Sequence, residues 1–322
     1  MEKSSPVIKK LDKPVLTRKD IPYNSALVFN AGVCKYNGKY IMTFRNDYGD
    51  YEAHKLTGTN NGLAFSDDGI NWDVSPDPFF AVKTDEISRV YDTRLTVIED
   101  EIYVCFACDT RHGLRGGVGK LRPDFSGVDI ISLSAPDNRN MALFPEKING
   151  RFVMLERPMP VYSRGGKDRF DMWICESPDL VFWGNHELVA GVEDVPFADD
   201  KIGPAAPPVK TEKGWLTTFH AVELTPGRGK HGWEQKWEKT YRAGIMLLDL
   251  ENPSKVLGIC KDPLIVCDRD FELEDGFRQD AIFPGGMILE DNGEVKIYYG
   301  ASDTVECLAT ADVNDLIRIC LE

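Results

Sequence analysis

The chain has 322 residues, with 38 lysines and arginines against 52 aspartates and glutamates, a formal net charge of −14. So acidic a surface repels nucleic acid and anionic membranes, and no apolar run is long enough to span a bilayer. Aromatic residues at 10% and charged residues at 28% are those of an ordinary globular protein, at a length that can bury a full core.

The opening stretch, MEKSSPVIKKLDKP, offers no apolar segment to serve as a signal peptide, which predicts a cytoplasmic protein. The eight cysteines, at 34, 105, 108, 175, 260, 267, 307 and 320, then read as reduced, buried thiols. Cys105 and Cys108 form a CxxC, but their odd spacing in a strand sends the two side chains to opposite faces. No second pair and no suitable histidine follows, so neither a metal site nor a redox cofactor is expected.

One pattern then recurs five times along the chain: a small or polar cluster, an aliphatic strand, a tight turn and an aromatic-rich strand. The copies are FNAGVCKYNGKYIMTFR (29–45), YDTRLTVIEDEIYVCFA (91–107), NMALFPEKINGRFVMLERP (140–158), GPAAPPVKTEKGWLTTFHAV (203–222) and DAIFPGGMILEDNGEVKIYYG (280–300). Their turns are Asn37-Gly38, Glu99-Asp100, Asn149-Gly150, Lys213-Gly214 and Asn292-Gly293, and Asn-Gly is a strong hairpin signal. Further strands follow at 62–72, 172–183, 243–257 and 307–317, with a weaker one at 116–127. Five such units predict an all-β chain folded as a five-bladed β-propeller, one domain over residues 1–322. A two-sheet sandwich would hold many hairpins but would not explain one motif returning five times. Helix is expected only in the Asp315–Leu321 tail and around 233–240.

In a propeller the inner strands converge on the axis, so polar residues at equivalent ends of the repeats meet. The first unit supplies Asn30 and Arg45, the second Asp92 and Arg94, the third Arg139, Asn140 and Arg157. The fourth supplies Lys201 and His220, and the fifth Asp280 and Asp303, with Tyr241 just before it. Arg45 and Arg157 each fall seven residues after a turn glycine, at the end of an aromatic-rich strand. Each could pair with a structural carboxylate, but several cations at matching ends of so acidic a chain point to a pocket for an anion. Asp92 and Arg94 share a face if the strand alternates regularly, as a salt bridge or as part of a site. Asp47 and Asp303 suit either turn or site roles, and His220 either core or site. Tyr91, Tyr162, Tyr241, Trp233 and Trp237 could stack on sugar rings or simply pack.

At these residues the sequence resembles glycoside hydrolase family 130, the β-mannoside phosphorylases and related mannosidases, over nearly its whole length. The motifs are FNAGV (29–33), VYDTRL (90–95), RNMALFPEKINGRFVMLERP (139–158), DDKIGPAAPP (199–208), TTFHAV (217–222), YRAG (241–244) and YYGASDT (298–304), in that order. The resemblance implies the same five-bladed propeller and assigns roles by motif: Asp92 as the catalytic acid, and Arg139, Asn140, Arg157, Lys201, His220 and Tyr241 as holders of phosphate. By the same motifs Asn30, Arg45 and Asp303 grip the mannosyl unit, with Asp47 and Tyr91 beside them. It further implies inverting phosphorolysis of a β-mannooligosaccharide to α-D-mannose 1-phosphate, with phosphate a co-substrate and the proton passed through the mannose 3-hydroxyl. A homo-oligomer is implied as well, commonly a hexamer in the family. The motif LFPEKINGRFVMLERP is closest to the subgroup acting on β-1,4-mannooligosaccharides, with β-1,2-mannobiose and mannosyl-glucose phosphorylases as alternatives. Phosphate needs no base, whereas hydrolysis needs one to activate water, and no extra pair of adjacent glutamates supplies it. A hydrolase and a non-catalytic carbohydrate-binding propeller are the rival readings.

Overall fold

The computed structural model describes residues 2–160, 170–226, 233–234, 237–273 and 276–322. Its strands form five antiparallel sheets, four of them running in chain order from an inner to an outer strand. The first blade is Leu27–Tyr36, Lys39–Asp50, Lys55–Ser66 and Asp73–Val74, and the second Ile87–Ile98, Glu101–Thr110, Gly113–Leu121 and Val128–Leu133. The third is Asn138–Leu143, Phe152–Pro158, Met172–Ser177 and Gly184–Ala190. In the fourth, Lys201–Pro204 and Val209–Thr211 both pair with Gly214–Leu224, followed by Lys239–Leu248 and Val256–Ile259. The fifth comprises Ile282–Leu289, Glu294–Ala301 and Val305–Asp312, and takes its outermost strand, Lys9–Lys10, from the N-terminus. Neighbouring blades touch in sequence and the fifth packs against the first, closing the ring. The molecule is the five-bladed propeller expected from the repeats.

That N-terminal strand joins the two ends of the chain, leaving no blade with an open seam. Lys10 is the latch: its Nζ donates to Asp268 and to Glu272, each at 2.8 Å, and Glu272 is wholly buried. Apolar residues of adjacent blades pack into clusters between the sheets. One unites the third, fourth and fifth blades around Phe144, Trp215, Phe219 and Ile297, and others lie between the fifth and first and the second and third. Cys105 and Cys108 fall in different clusters, on opposite faces as their spacing predicts.

The hairpins behave as their turn residues dictate. Asn37-Gly38 and Asn149-Gly150 carry positive φ at both residues, the type I′ geometry that matches strand twist. Glu99-Asp100 does the same, at φ 51° and 62°, without a glycine. The C-terminal helix is present at Val313–Leu321, capped by the Asp312 side chain. The helix expected around 233–240 is not found among the described residues: Lys239 already begins a strand whose register with Glu223 and Leu224 fixes it as extended. A four-residue helix stands at Asp270–Leu273, where Glu272 caps the backbone of Asp268 and Arg269.

Candidate active site

The inner strands of the first three blades share one irregularity. Pairing shifts register between Phe29 and Gly32, between Tyr91 and Arg94, and between Arg139 and Ala142. At each shift sits an Asn or Asp in left-handed backbone: Asn30 (φ 52°), Asp92 (φ 54°) and Asn140 (φ 58°). These residue types tolerate that conformation, because a short polar side chain can hydrogen-bond locally. The bulge aims three equivalent polar side chains at the hub, and it corrects one expectation. With alternation broken, Asp92 and Arg94 do not pair. Arg94 is buried, donating from Nε to the Ala205 carbonyl at 2.9 Å and from Nη1 to the Thr93 carbonyl at 2.8 Å. It ties the second blade to the fourth. The hub is tight here: a Cβ on Gly285 would lie 2.1 Å from the Ala31 carbonyl oxygen.

One half of the site is built around Asp92. The Asn30 amide donates to Asp92 Oδ1 at 3.1 Å, and Arg45 Nη1 lies 3.4 Å from the same oxygen. Arg45 is itself held by Asp47, through Nε at 2.9 Å and Nη2 at 2.8 Å, while Thr59 donates to Asp47 at 2.7 Å. Asp47 is thus the structural carboxylate for Arg45. The Arg45 guanidinium also lies over the Tyr91 ring, whose hydroxyl donates to Asp109 at 2.9 Å. Asp303 receives Arg278 Nη1 at 3.1 Å, and Arg278 in turn packs over Trp237 and bonds Glu234. Burial opposes ionisation of Asp92, but Arg45, Arg94, the Asn30 amide and Arg139 outweigh it and hold its carboxyl below the usual range. Burial holds Asp303 above that range, against Arg278 and Arg45 and with help from the Asp92 charge.

The other half is cationic. Arg139 and Arg157 are direct cross-strand partners in the third blade, a like-charge arrangement that destabilises a sheet unless something anionic relieves it. Arg157 is 0% exposed. Among the described residues neither forms an ion pair, and Arg139 Nε, Arg157 Nε and Arg157 Nη2 are buried donors without an acceptor. Burial, then the charge of Arg139, pushes the Arg157 guanidinium down to about 9. Arg157 Nη1 lies 2.9 Å from His220 Nε2, and Asn140 Nδ2 lies 3.5 Å from the same atom. Since a guanidinium only donates, His220 Nε2 accepts and the ring proton sits on Nδ1. Burial and the cations Arg157, Lys201 and Arg139 keep this imidazole neutral. His220 stacks on Tyr241 and Phe283.

Lys201 lies over the rings of Phe170 and Tyr241, and Arg157 over Phe170. Lys201 ion-pairs with Asp200 at 3.4 Å, and Lys239 takes the same oxygen at 2.8 Å. Burial and the charges of Arg157 and Lys239 push the Lys201 ammonium down to about 7. Gly203 makes the approach possible, since a Cβ there would meet the His220 ring at 2.6 Å and Arg157 Cδ at 2.7 Å.

Asn30, Arg45, Asp47, Tyr91 and Asp92 are thus linked by direct contacts, as are Asn140, Arg157, Lys201, His220 and Tyr241, with Arg139 facing Arg157. Tyr162 lies outside the described residues, and Arg94 is engaged by backbone carbonyls. Asp280, at φ 55°, accepts the Tyr241 backbone N–H through its carbonyl at 2.8 Å, holding the fourth blade to the fifth. Trp233 stacks on His54 and packs against Tyr51 and Phe277. Sequence reasoning missed Arg278, Phe170 and the Asp200–Lys239 pair. Arg278 stands two residues before the fifth repeat begins, and nothing in its neighbourhood repeats elsewhere.

Residues 4–322 match the family profile of glycoside hydrolase family 130, described as beta-1,4-mannooligosaccharide phosphorylase. The chain belongs to this family of β-mannoside phosphorylases. It is similar to the Beta-1,4-mannooligosaccharide phosphorylase of Ruminococcus albus, 32% identical over 94% of this chain and 88% of the relative. It is nearly as similar to the 1,2-beta-oligomannan phosphorylase of a Thermoanaerobacter species, 31% identical over 95% of this chain and 97% of the relative. In fold it resembles the Beta-1,2-Mannobiose phosphorylase of Listeria innocua, solved with beta-1,2-mannobiose, at a TM-score of 0.81 and 24% identity over 97% of this chain and 99% of that one. The family 130 protein is thus a glycoside phosphorylase by its relatives. No helix among its described residues is long and apolar enough to cross a membrane.

Proposed function

We propose that this enzyme cleaves β-1,4-mannooligosaccharides with inorganic phosphate, releasing α-D-mannose 1-phosphate and a chain shortened by one mannose. The observation that carries the reading is the Arg139–Arg157 pair, three of whose buried donors, Arg139 Nε, Arg157 Nε and Arg157 Nη2, have no acceptor among the described residues. A phosphate dianion accepted there, with Lys201, His220, Asn140 and Tyr241 around it, satisfies those donors and relieves the repulsion. The described carboxylate that ion-pairs with this half, Asp200, is already held by Lys201 and Lys239, so it is poorly placed to act as a base on water. Held phosphate needs none, and its orientation replaces the entropy a bimolecular attack would cost.

The mannosyl unit then lies on the Asn30, Arg45, Tyr91 and Asp303 side, and Asp92 supplies the proton for the departing sugar. Asp92 is a poor donor while Arg45 and Arg139 hold it ionised. Phosphate drawn to Arg139 offsets part of that pull, so arrival of the nucleophile raises the affinity of Asp92 for its proton. The single chain 1–322 forms the catalytic unit, and a product that conserves bond energy as a sugar phosphate suits a cytoplasmic location.

The β-1,4 linkage rests on the family description and the Ruminococcus relative, while the 1,2-linked relatives are almost equally similar. The decisive assay incubates the enzyme with β-1,4- and β-1,2-mannobiose, each with and without phosphate. Cleavage of the 1,4-linked sugar only with phosphate, yielding mannose 1-phosphate, is expected. Free mannose without phosphate would make it a hydrolase, and preference for the 1,2-linked sugar would reassign the substrate.

A further inference from the structure

Behind Arg157, on the opposite face of the same strand, the third blade carries a second cluster of chemistry-bearing side chains. Glu156, Cys175 and His186 come from three consecutive strands, and their potential ligand atoms all lie within 4.8 Å of one another. Cys175 and Met154 are cross-strand partners, which sets Glu156 and Cys175 on one face. The register to the next strand shifts between Ile174 and Glu176, so that Asn185 and His186 together oppose Cys175. This bulge brings the imidazole alongside the thiol.

We propose that these three residues bind a divalent cation of the zinc class. Carboxylate, thiolate and imidazole are the donor set such an ion prefers, and bond lengths of about 2.0–2.3 Å place tetrahedral ligands roughly 3.3–3.7 Å apart, within the spread of this cluster. Charge argues the same way. Glu156 is 2% exposed, and among the described residues no lysine or arginine ion-pairs with it. Its partners are the Asn138 amide at 2.7 Å and His186 Nδ1 at 2.6 Å. A buried carboxylate beside a thiol suits a doubly positive ion, which would take the thiol as thiolate and leave the group neutral.

A second observation is independent of the ligand atoms. Asn138, only 9% exposed, leaves its Oδ1 buried without a partner, and it lines a cavity of about 200 Å³ together with Glu156, His186 and Trp183. A metal-bound water in that cavity has the amide oxygen as its acceptor. His186 is half exposed and provides the way in. The ion would staple three strands of the blade while touching none of the groups assigned to phosphate, so the inference stands apart from the reaction. Sequence spacing conceals such a site, since its ligands are 11 to 30 residues apart.

The test is a titration of the chelator-treated full chain with Co²⁺ alone and then Zn²⁺. One equivalent of cobalt should give thiolate-to-metal and tetrahedral visible absorption, bleached when zinc displaces it. Cys175→Ser should abolish the thiolate band, and Cys267→Ser, altering a buried thiol of another cluster, should keep it. His186→Ala, at a half-exposed position that leaves folding intact, should weaken binding by more than about tenfold. Zinc should raise the melting temperature of the wild type and not of His186→Ala. No thiolate band in the wild type, or equal metal affinity in wild type and His186→Ala, would overturn the proposal.

Discussion

Asn30 and Asp92 occupy the same bulge position in neighbouring blades, and the amide of one donates to the carboxylate of the other at 3.1 Å across the hub. Repetition of the fold has thus placed an oriented hydrogen-bond donor on the proposed proton donor. The contact also favours the ionised form, along with Arg45. In the proposed mechanism Asp92 needs its surroundings to change before it can give up a proton, and phosphate bound beside Arg139 would supply that change.

Asp92→Asn keeps the size of the side chain and removes the proton. A general acid typically supplies about 10²–10⁴-fold in rate. We expect kcat to fall within that range in steady-state phosphorolysis, with phosphate affinity by calorimetry nearly unchanged. Unaltered turnover would remove Asp92 from the acid role.

Asp303 is a further carboxyl near Arg45, beyond Asp47 and Asp92, and burial holds it protonated to higher pH than Asp92. Asp303→Asn should raise KM for the saccharide while leaving KM for phosphate and the pH limbs of kcat in place. Should this variant lose as much kcat as Asp92→Asn, the acid assignment passes to Asp303.

Burial and the charges of Arg157 and Lys239 push the Lys201 ammonium down to about 7 in the folded protein, from its ordinary 10.5. Between those values the unfolded chain binds a proton that the native chain does not, so the Lys201 contribution to stability rises with pH across that window. Below it the buried charge is a penalty. Thermal unfolding of wild type and Lys201→Met in phosphate-free buffer should therefore differ most near pH 7, with the variant more stable, and converge toward pH 10. A constant difference would mean that Lys201 is not strained by its neighbours.

The five hairpin repeats, their Asn-Gly turns and the polar residues at blade ends were legible because each is a local pattern repeated. Arg45 and Arg157 look alike in sequence, both seven residues past a turn glycine, yet they differ in kind. Arg45 has Asp47 two residues along its own strand, whereas Arg157 faces Arg139. The bulges at Asn30, Asp92 and Asn140 were written in the residue types but not recognised, which is why Asp92 and Arg94 were expected to share a face. Arg278 with Asp303, Phe170 under Lys201, and the Glu156–Cys175–His186 cluster depend on contacts between separate strands or across loops. No period announces those.

The account depends on two facing arginines that no carboxylate among the described residues compensates. Calorimetric titration of inorganic phosphate into wild type and Arg157→Gln tests it most directly. Hydrogen bonds to charged groups are worth about 1.5–3 kcal/mol, or roughly 10- to 100-fold in affinity. The variant should lose at least that tenfold while melting no lower than the wild type in phosphate-free buffer, since a buried, repelled charge has gone. Phosphate bound equally well by both proteins would contradict the account.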